Sequence, residues 1–523
     1  MSSIDSYDDL PYESVPIPDA HPEYLAALAH LFGVDAEPAG CCRVLELGCA
    51  GGGNLIPLAF FHPHGTFVGI DLGRRHVEAA QAMIRALGLA NVEVLQRDVC
   101  EDLSDLGEFD FILVHGLYSW APARARAAIL AACGRLLSAR GVAYVSYNTL
   151  PGWHARGGLR AMLLAQVRRD APASARLDEA RALFDRIEPA LRLRDDDEAR
   201  ALLREIDYLR RAPASYVYHE YLEEVNEPFW FADFMVDARA AGLEYLAEAG
   251  LAAMLPETLG EAFAHSLAGE ADRIRREQWM DCARLRKFRR TLLVRAGTPV
   301  RERPDAAAFA ELAFHADLGC EDEIDLASDQ AQDFALPSGG RCAVRQPLTK
   351  AALILLSARH PDSLAWPDLL AGARAILATQ GVEPGEGAES ILRDELFSLV
   401  AHQAVRVTRA PATLVAFQSL PERPAANALA RYQAAHGGVL ASRRHAAVEL
   451  DRYGARLTAA LDGRRDVDQL TDWLAAEIAA DGHSLPDRPA LRGAVEAVLW
   501  TLARAGLLLA PECDVERNGA AAC

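Results

Sequence analysis

Lysine is almost missing from this chain. Of 54 Lys and Arg residues only Lys287 and Lys350 are lysine, so arginine carries the positive charge. Acidic residues still outnumber basic ones, 74 to 54, for a formal net charge of −20 and a pI near 5.2. A nucleic-acid binder needs a basic footprint to displace counterions from phosphate, and none is evident. An anionic membrane surface would be repelled for the same reason, whereas a basic protein or peptide would be attracted. No apolar run reaches the ~18 residues that span a bilayer, so membrane insertion is not expected. Met1–Tyr12 is acidic and polar, unlike a secretory signal. The ten cysteines form no C-x-x-C pair, which suits reduced thiols in a cytoplasmic protein better than a disulfide framework. H-E-x-x-H is also absent, and His62-Pro63-His64 and Cys41-Cys42 are too short to chelate one ion. No metal is expected.

What is present is an ordinary globular composition, 51% hydrophobic with a mean hydropathy of zero over 523 residues. That length suggests roughly three or four domains. In the first third, Arg43–Leu47, Phe67–Ile70, Val92–Leu95, Phe109–Val114 and Val142–Tyr147 read as buried parallel strands. Helical patterns lie between them, best seen in Arg74–Leu87, where Val77, Ala80, Ile84 and Leu87 keep a 3.6-residue period and Gly88 ends the helix. Alternation at this spacing predicts an open, Rossmann-like α/β sheet with its site at the carboxyl ends of the strands. Residues from about 158 to 212 read as helices, followed by a helix at Phe231–Ala241 and strands at Leu243–Ala247 and Arg290–Val294. Those two strands are expected to complete the first sheet, with the helices inserted into it. Beyond about 300, three helices and a strand recur twice, ending at Ala404–Thr408 and at Leu507–Leu509. This is a winged-helix outline, and the recurrence suggests a duplication. Helix Asp466–Glu477 carries Asp466, Asp468, Asp472 and Glu477, so these modules suit protein contacts rather than DNA. The expected divisions are 1–157, 158–229, 230–297, 298–415 and 416–523.

The strongest chemical signal is VLELGCAGGGN, Val44–Asn54, in which Glu46 ends a strand and Gly48, Ala50 and Gly52 follow. Glycines let a backbone turn tightly and approach a ligand, and the helix starting near Gly53 aims free N–H groups at it. The letters also fit a loose dinucleotide fingerprint, but a carboxylate before the first glycine would face a pyrophosphate unfavourably. It suits a ligand with an ammonium group and no pyrophosphate, S-adenosylmethionine (AdoMet). Asp71 ends the second strand, 25 residues after Glu46, where a carboxylate accepts ribose hydroxyls. Asp98 ends the third strand (EVLQRD). Three carboxylates at three successive strand ends are more specific than any one of them.

Several segments are then familiar. YDDLPYES (Tyr7–Ser14), ELGCAGGGNLIP (Glu46–Pro57), HGLYSW (His115–Trp120) and SYNTLPGW (Ser146–Trp153) resemble class I AdoMet-dependent methyltransferases carrying a methyltransferase regulatory domain. Among these are rickettsial protein-lysine methyltransferases of outer-membrane protein B. YHEYLEEVNEPFWFADF (Tyr218–Phe234) and FRRTLL (Phe288–Leu293) are similar to that family's middle signatures, and past about residue 297 only the helical layout matches. The resemblance implies an AdoMet domain, a helical insertion used in dimerisation, a middle domain and a small C-terminal domain. It also places the adenine amino group at Asp98.

The expected cofactor set is Glu46, Gly48, Cys49, Ala50, Gly52, Asn54, Asp71, Leu72, Asp98, Val99 and His115, with Tyr12 from the N-terminal segment. Cys49 reads as a small filler rather than a nucleophile. Methylating lysine requires its deprotonation, which from pKa ~10.4 to pH 7 costs about 4.6 kcal/mol. A dry aromatic pocket beside a sulfonium lowers that cost. Tyr12, Tyr118, Trp120, Tyr147 and Trp153 are expected to wall it, with His115 and Asn148 as the polar catalytic candidates and His219–Glu220 lining the channel. The leading expectation is methyl transfer to protein lysine, releasing S-adenosylhomocysteine (AdoHcy), in a homodimer. A small-molecule methyltransferase and an AdoMet-binding scaffold without turnover are the alternatives. Because Glu46, Asp71 and Asp98 all lie upstream, truncation near residue 300 is expected to leave AdoMet binding intact.

Overall fold

The computed structural model describes residues 10, 14–320, 323–337, 339–414, 417 and 419–510. Seven strands form its central sheet: β1 (Arg43–Leu47), β2 (Thr66–Asp71), β3 (Val92–Gln96), β4 (Phe109–Val114), β5 (Leu137–Asn148), β6 (Leu243–Glu248) and β7 (Phe288–Arg295). Their order is β3-β2-β1-β4-β5-β7-β6, parallel from β3 to β5, with β7 antiparallel to both its neighbours. The chain order reverses between β1 and β4, and a crevice opens there at the carboxyl ends. β6 and β7 complete the sheet as the sequence predicts. β5 starts earlier than expected, because Leu137 already pairs with Phe109 across a register shift.

Helices α1 (Pro22–Leu31), α2 (Leu55–Phe61), α3 (Arg74–Leu87) and α4 (Ala123–Leu136) flank the strands. α3 buries Val77 and Ala80 and ends at Gly88 with φ +64°, a left-handed stop that glycine takes without steric cost. The insertion is α5 (His154–Gln166), α6 (Ala173–Leu191) and α7 (Asp197–Arg211), leading to a π-helical turn at Tyr218–Leu222. These helices bury a core of their own around Leu163, Phe184, Ile206 and Tyr221. The chain returns through α8 (Phe231–Ala240) and α9 (Arg273–Arg284).

Past residue 300 come β8 (Ala313–His315), β9 (Gln332–Ala335), β10 (Arg341–Val344), α10 (Pro347–Arg359), β11 (Leu364–Ala365), α11 (Trp366–Thr379), α12 (Ala388–Ala401) and β12 (Arg406–Thr408). Their buried side chains join one face of the central sheet in a continuous core that crosses the expected boundary at 297/298. The last module has α13 (Ala428–Ala435), a short hairpin of β13 (Leu440–Ala441) and β14 (Ala447–Val448), then α14 (Arg452–Ala459), α15 (Val467–Ala480) and α16 (Arg488–Arg504) around a separate core. The expected strand at Leu507–Leu509 is reduced to an isolated bridge between Leu508 and Ala426. The two modules therefore differ in their strands: β12 pairs with β8 in a three-stranded sheet, whereas the last module carries only the β13–β14 hairpin.

Cys42, Cys49 and Cys133 are buried thiols, and Cys100, Cys282 and Cys342 are partly buried ones. No helix among the described residues is long and apolar enough to cross a membrane.

Two arginines on β7 hold the late strands in place. Arg289 is completely buried; its guanidinium donates to Asp281 Oδ1 and Oδ2 (2.9 and 2.8 Å), to Glu277 Oε2 (3.1 Å) and to Glu248, and lies 3.7 Å from the Phe231 ring centroid. Arg290 pairs with Asp19, whose other oxygen accepts from Arg406 Nη1 (2.9 Å) and Gln403 Nε2 (3.1 Å). The N-terminal segment is thereby stapled to both the sheet and β12. Removing one partner of a buried charge cluster leaves the rest uncompensated. Arg289→Ala should thus destabilise the sheet by about 3–5 kcal/mol, seen as a large fall in the urea midpoint of intrinsic fluorescence; an unchanged midpoint would refute this role.

Candidate functional site

Seven of the expected residues, Glu46, Gly48, Cys49, Ala50, Gly52, Asn54 and Asp71, meet at the β1 tip. Gly48 N donates to Ile70 O (2.8 Å) with φ +74°, and Gly52 has φ +76° with Ile56 Cδ1 only 2.6 Å from where a Cβ would sit. Ala50 is also left-handed, at φ +45°, and is held there by its N–H donating to Asp71 Oδ2 (2.8 Å). Asp71 Oδ1 accepts from Gly73 N (2.8 Å), so one carboxylate fixes both the glycine loop and the start of α3. Each oxygen retains a further acceptor site for a ligand hydroxyl. Cys49 is buried beside Gly69, where a Cβ would come within 2.6 Å of its sulfur, so it is the small filler the sequence suggests.

Glu46 lies buried at this tip. Its Oε1 accepts from Asn54 Nδ2 (2.9 Å), while Oε2 is buried with no hydrogen-bond partner among the described residues. Burial pushes its carboxyl up to about 8, opposed by the Asn54 bond and reinforced by the Asp71 charge. A desolvated carboxylate with an unmatched oxygen is costly unless a cation meets it. An ammonium group is such a cation, and the glycine-lined turn leaves backbone rather than side chains beside it. Asp98 Oδ1 accepts from Cys100 N (2.9 Å) just past β3. Leu72 is exposed next to Asp71, and Val99 is partly buried against the core on one face of the sheet. Tyr12 lies outside the described residues. Its neighbour Ser14 does not: Ser14 Oγ accepts from Gly53 N (2.7 Å), so the N-terminal segment covers the loop. A Cβ on Gly53 would sit 1.9 Å from Ser14 O.

The β4 and β5 tips are arranged differently from expectation. His115 Nδ1 is 3.0 Å from Tyr144 Oη, its ring is stacked on Tyr144, and burial holds its pKa down at about 4, so it stays neutral at pH 7. Tyr118 and Tyr147 do not wall a pocket. They pack into the core, with Tyr147 stacked at 4.2 Å on Phe234 and its hydroxyl 3.0 Å from Thr291 Oγ1. Trp153 is likewise buried, under Arg156. An apolar ring beside a strand end satisfies the core first, and local sequence does not show which way it turns. Trp120 stays half-exposed and donates through Nε1 to His219 O (2.9 Å). Asn148 is buried and donates from Nδ2 to Asn226 Oδ1 (2.8 Å); Asn226 in turn donates to Glu220 O (3.0 Å). His219 bonds Leu10 O and Glu223. Glu220 Oε2 is buried without a hydrogen-bond partner among the described residues, and burial pushes its carboxyl up to about 7.

One partner was not foreseeable from local pattern. Asn54 Oδ1 accepts from Ile17 N (3.0 Å) and from His445 Nε2 (2.7 Å), 391 residues downstream. The cofactor tip is therefore not self-contained upstream of residue 300.

Comparisons with known proteins agree with this geometry. Residues 44–141 match the methyltransferase domain family, residues 213–295 the predicted methyltransferase regulatory domain, and residues 422–507 the C-terminal winged helix domain of PKMT. Uncharacterized protein RP028 of Rickettsia prowazekii is 30% identical over 45% of this chain and 94% of its own length. The chain belongs to the class I AdoMet-dependent methyltransferases with a regulatory domain. Uncharacterized protein RP789 of the same organism is 38% identical over 55% of this chain, a match spanning about half of that relative, 52%. The structure of PKMT2 from Rickettsia typhi in complex with AdoHcy superposes with a TM-score of 0.84 at 25% identity, covering 95% of this chain and 100% of that one. AdoMet is thus the methyltransferase's cofactor, and among the described residues no group of side chains is arranged to hold a metal.

Because the Glu46 carboxyl is raised from 4.5 to about 8, its favourable neutral form is fully available below pH 4.5, and stability is lost as pH rises through 8. An ammonium ligand needs the ionised form. AdoHcy binding at pH 7 should therefore release close to one proton, and affinity should rise roughly tenfold from pH 6 to 7. Calorimetry in two buffers of different ionisation heat checks this, and Glu46→Gln should abolish the release; wild-type binding without proton release would refute the assignment.

Proposed function

We propose that this methyltransferase transfers methyl groups to lysine side chains of a protein, basic in character. The observation that carries the reading is the end-to-end likeness to PKMT2, C-terminal winged helix included. The cofactor set upstream and the acidic surface are consistent with it, since a basic substrate is drawn to a chain of net charge −20. AdoMet, when bound, supplies an electrophilic methyl group on a sulfonium. This chain's residues do the positioning. Glu46 holds the ammonium, Asp71 the ribose hydroxyls and Asp98 the adenine amino group.

On the acceptor side, Trp120, Asn148 and Asn226 tie the π-helical turn to the β4 and β5 tips, and the turn carries Glu220. A carboxyl pushed to about 7, with one oxygen unmatched, can receive a lysine ammonium and take its proton at neutral pH. Arg156 and Arg160 flank it and favour its ionised form. Glu220 is therefore assigned to the acceptor amine, ahead of neutral, Tyr144-bonded His115. Tritiated AdoMet with a lysate should label protein bands whose hydrolysate contains methyl-lysine, and Glu220→Gln should raise KM for protein at least tenfold with AdoHcy affinity unchanged. Label confined to small molecules, or none, would refute the proposal.

The divisions at 158–229 and 230–297 are assigned as a dimerising insertion and the return of the catalytic core. Met162, Leu193 and Tyr208 remain exposed on the insertion, with Leu193 89% accessible, which leaves apolar side chains that a second copy would cover. Sedimentation of the full chain at micromolar concentration should show a dimer that Leu193→Glu weakens; a monomer would refute it.

A further inference from the structure

The last module reaches into the cofactor site through a hairpin. β13 and β14 are joined by a tight turn in which Ser442 N donates to Ala446 O (2.9 Å), Ala446 N to Ser442 Oγ (2.9 Å) and His445 N to Ser442 O (2.8 Å). The turn forces His445 to φ +59°, a left-handed conformation that a side-chain-bearing residue rarely adopts. Such a backbone persists only where its surroundings hold it, and here they do. Arg443 N donates to Ala505 O and its guanidinium lies over the Phe61 ring at 5.4 Å, while Arg444 Nε donates to Pro361 O (2.7 Å). The tip is thus wedged between the last module, α2 and the segment before β11.

The wedge delivers one imidazole to one amide. His445 is buried, its ring meets His21 edge-on at 5.4 Å, and its Nε2 stands 2.7 Å from Asn54 Oδ1. Burial keeps it uncharged, its pKa held down at about 3, so the Nε2–H tautomer is the donor. Asn54 is also buried, and its other end donates to Glu46 Oε1 at 2.9 Å. A carboxamide held this way cannot turn over: two donors, Ile17 N–H and His445 Nε2–H, claim its oxygen, so its NH2 must face the carboxylate. If it flipped, the amide oxygen would face Glu46 and repel it.

We infer that His445, at the hairpin tip of the C-terminal winged-helix module, is a positioning residue for the AdoMet site, acting through Asn54 on Glu46. Docking of the module and binding of AdoMet are then one linked equilibrium: whatever fixes Glu46 tightens the hairpin, and whatever draws the hairpin away loosens the cofactor. The inference rests on the AdoMet assignment and goes beyond it, because it gives the module a function in cofactor binding rather than in substrate recruitment.

Calorimetric titration of the full chain with AdoHcy tests it. His445→Ala should weaken binding about tenfold, in the range of one buried hydrogen bond to a group that orients a charge. His445→Gln, whose amide N–H lies close to where Nε2 was, should stay within about threefold of wild type. KM for AdoMet should move in parallel, with kcat changed less. A second measurement needs no variant: AdoHcy added to the wild-type chain should slow amide exchange in the turn at 442–446. Unchanged affinity in His445→Ala, equal losses in the alanine and glutamine variants, or unchanged exchange in the turn would each overturn the inference. Failure of wild type to bind AdoHcy would instead overturn the AdoMet assignment beneath it.

Discussion

A carboxylate buried at the end of a strand, with one oxygen unmatched, is the constraint around which the site is built. Glu46 sits where the sheet order reverses, so its desolvation cost is fixed by the fold and is relieved either by a proton or by a cation. Everything near it serves to hold that arrangement. Asp71 spends both oxygens on the backbone of the glycine loop and the start of α3, Asn54 bonds one Glu46 oxygen, and Ser14 closes the loop from above. The loop accepts three left-handed residues, Gly48, Ala50 and Gly52, to leave backbone instead of side chains around the ligand.

The same logic extends outward through charge. Asp19 joins the N-terminal segment to Arg290 on β7 and to Arg406 on β12, and Arg289 gathers three buried carboxylates behind the sheet. Buried clusters of this kind contribute little net stability when intact and are expensive to break, so they fix geometry more than they add strength. In this chain the Asp19 pairs hold the middle module on the methyltransferase core, and Arg444, which donates to Pro361 O, ties the hairpin that carries residue 445 to that module.

Much of this was legible in the sequence wherever the signal is periodic and local. β1 and β4 lie at the expected residues, α3 ends at Gly88, and β6 and β7 return to the sheet. The Glu46, Asp71 and Asp98 series reflects the same regularity, since each lies at or just past the end of a strand that can be read from its apolar run. Side-chain direction at the tips was not legible. Tyr118 and Tyr147 turn inward because Phe229 and Phe234, about a hundred residues away, offer ring partners. His445 was invisible for the same reason at greater range. A lone histidine in a polar turn carries no sign that its partner is an asparagine in a glycine loop. The missing strand at Leu507–Leu509 has a further cause: an apolar run becomes a strand where a neighbour offers a row of free backbone groups, and here the neighbouring segment offers Asn427 N–H to Leu507 O and Ala425 O to Leu509 N–H.

The central claim is that Glu46 meets the ammonium group of AdoMet, and a double-mutant cycle on the ligand and the residue tests it most directly. Kd is measured for AdoHcy and for its analogue lacking the α-amino group, each with the wild-type chain and with Glu46→Gln. The account predicts that wild type loses roughly 10- to 100-fold on removal of the amine, as expected for a charge-assisted bond, and that the glutamine variant loses much less. Equal losses in both proteins would show that the amine is held elsewhere and would contradict the account.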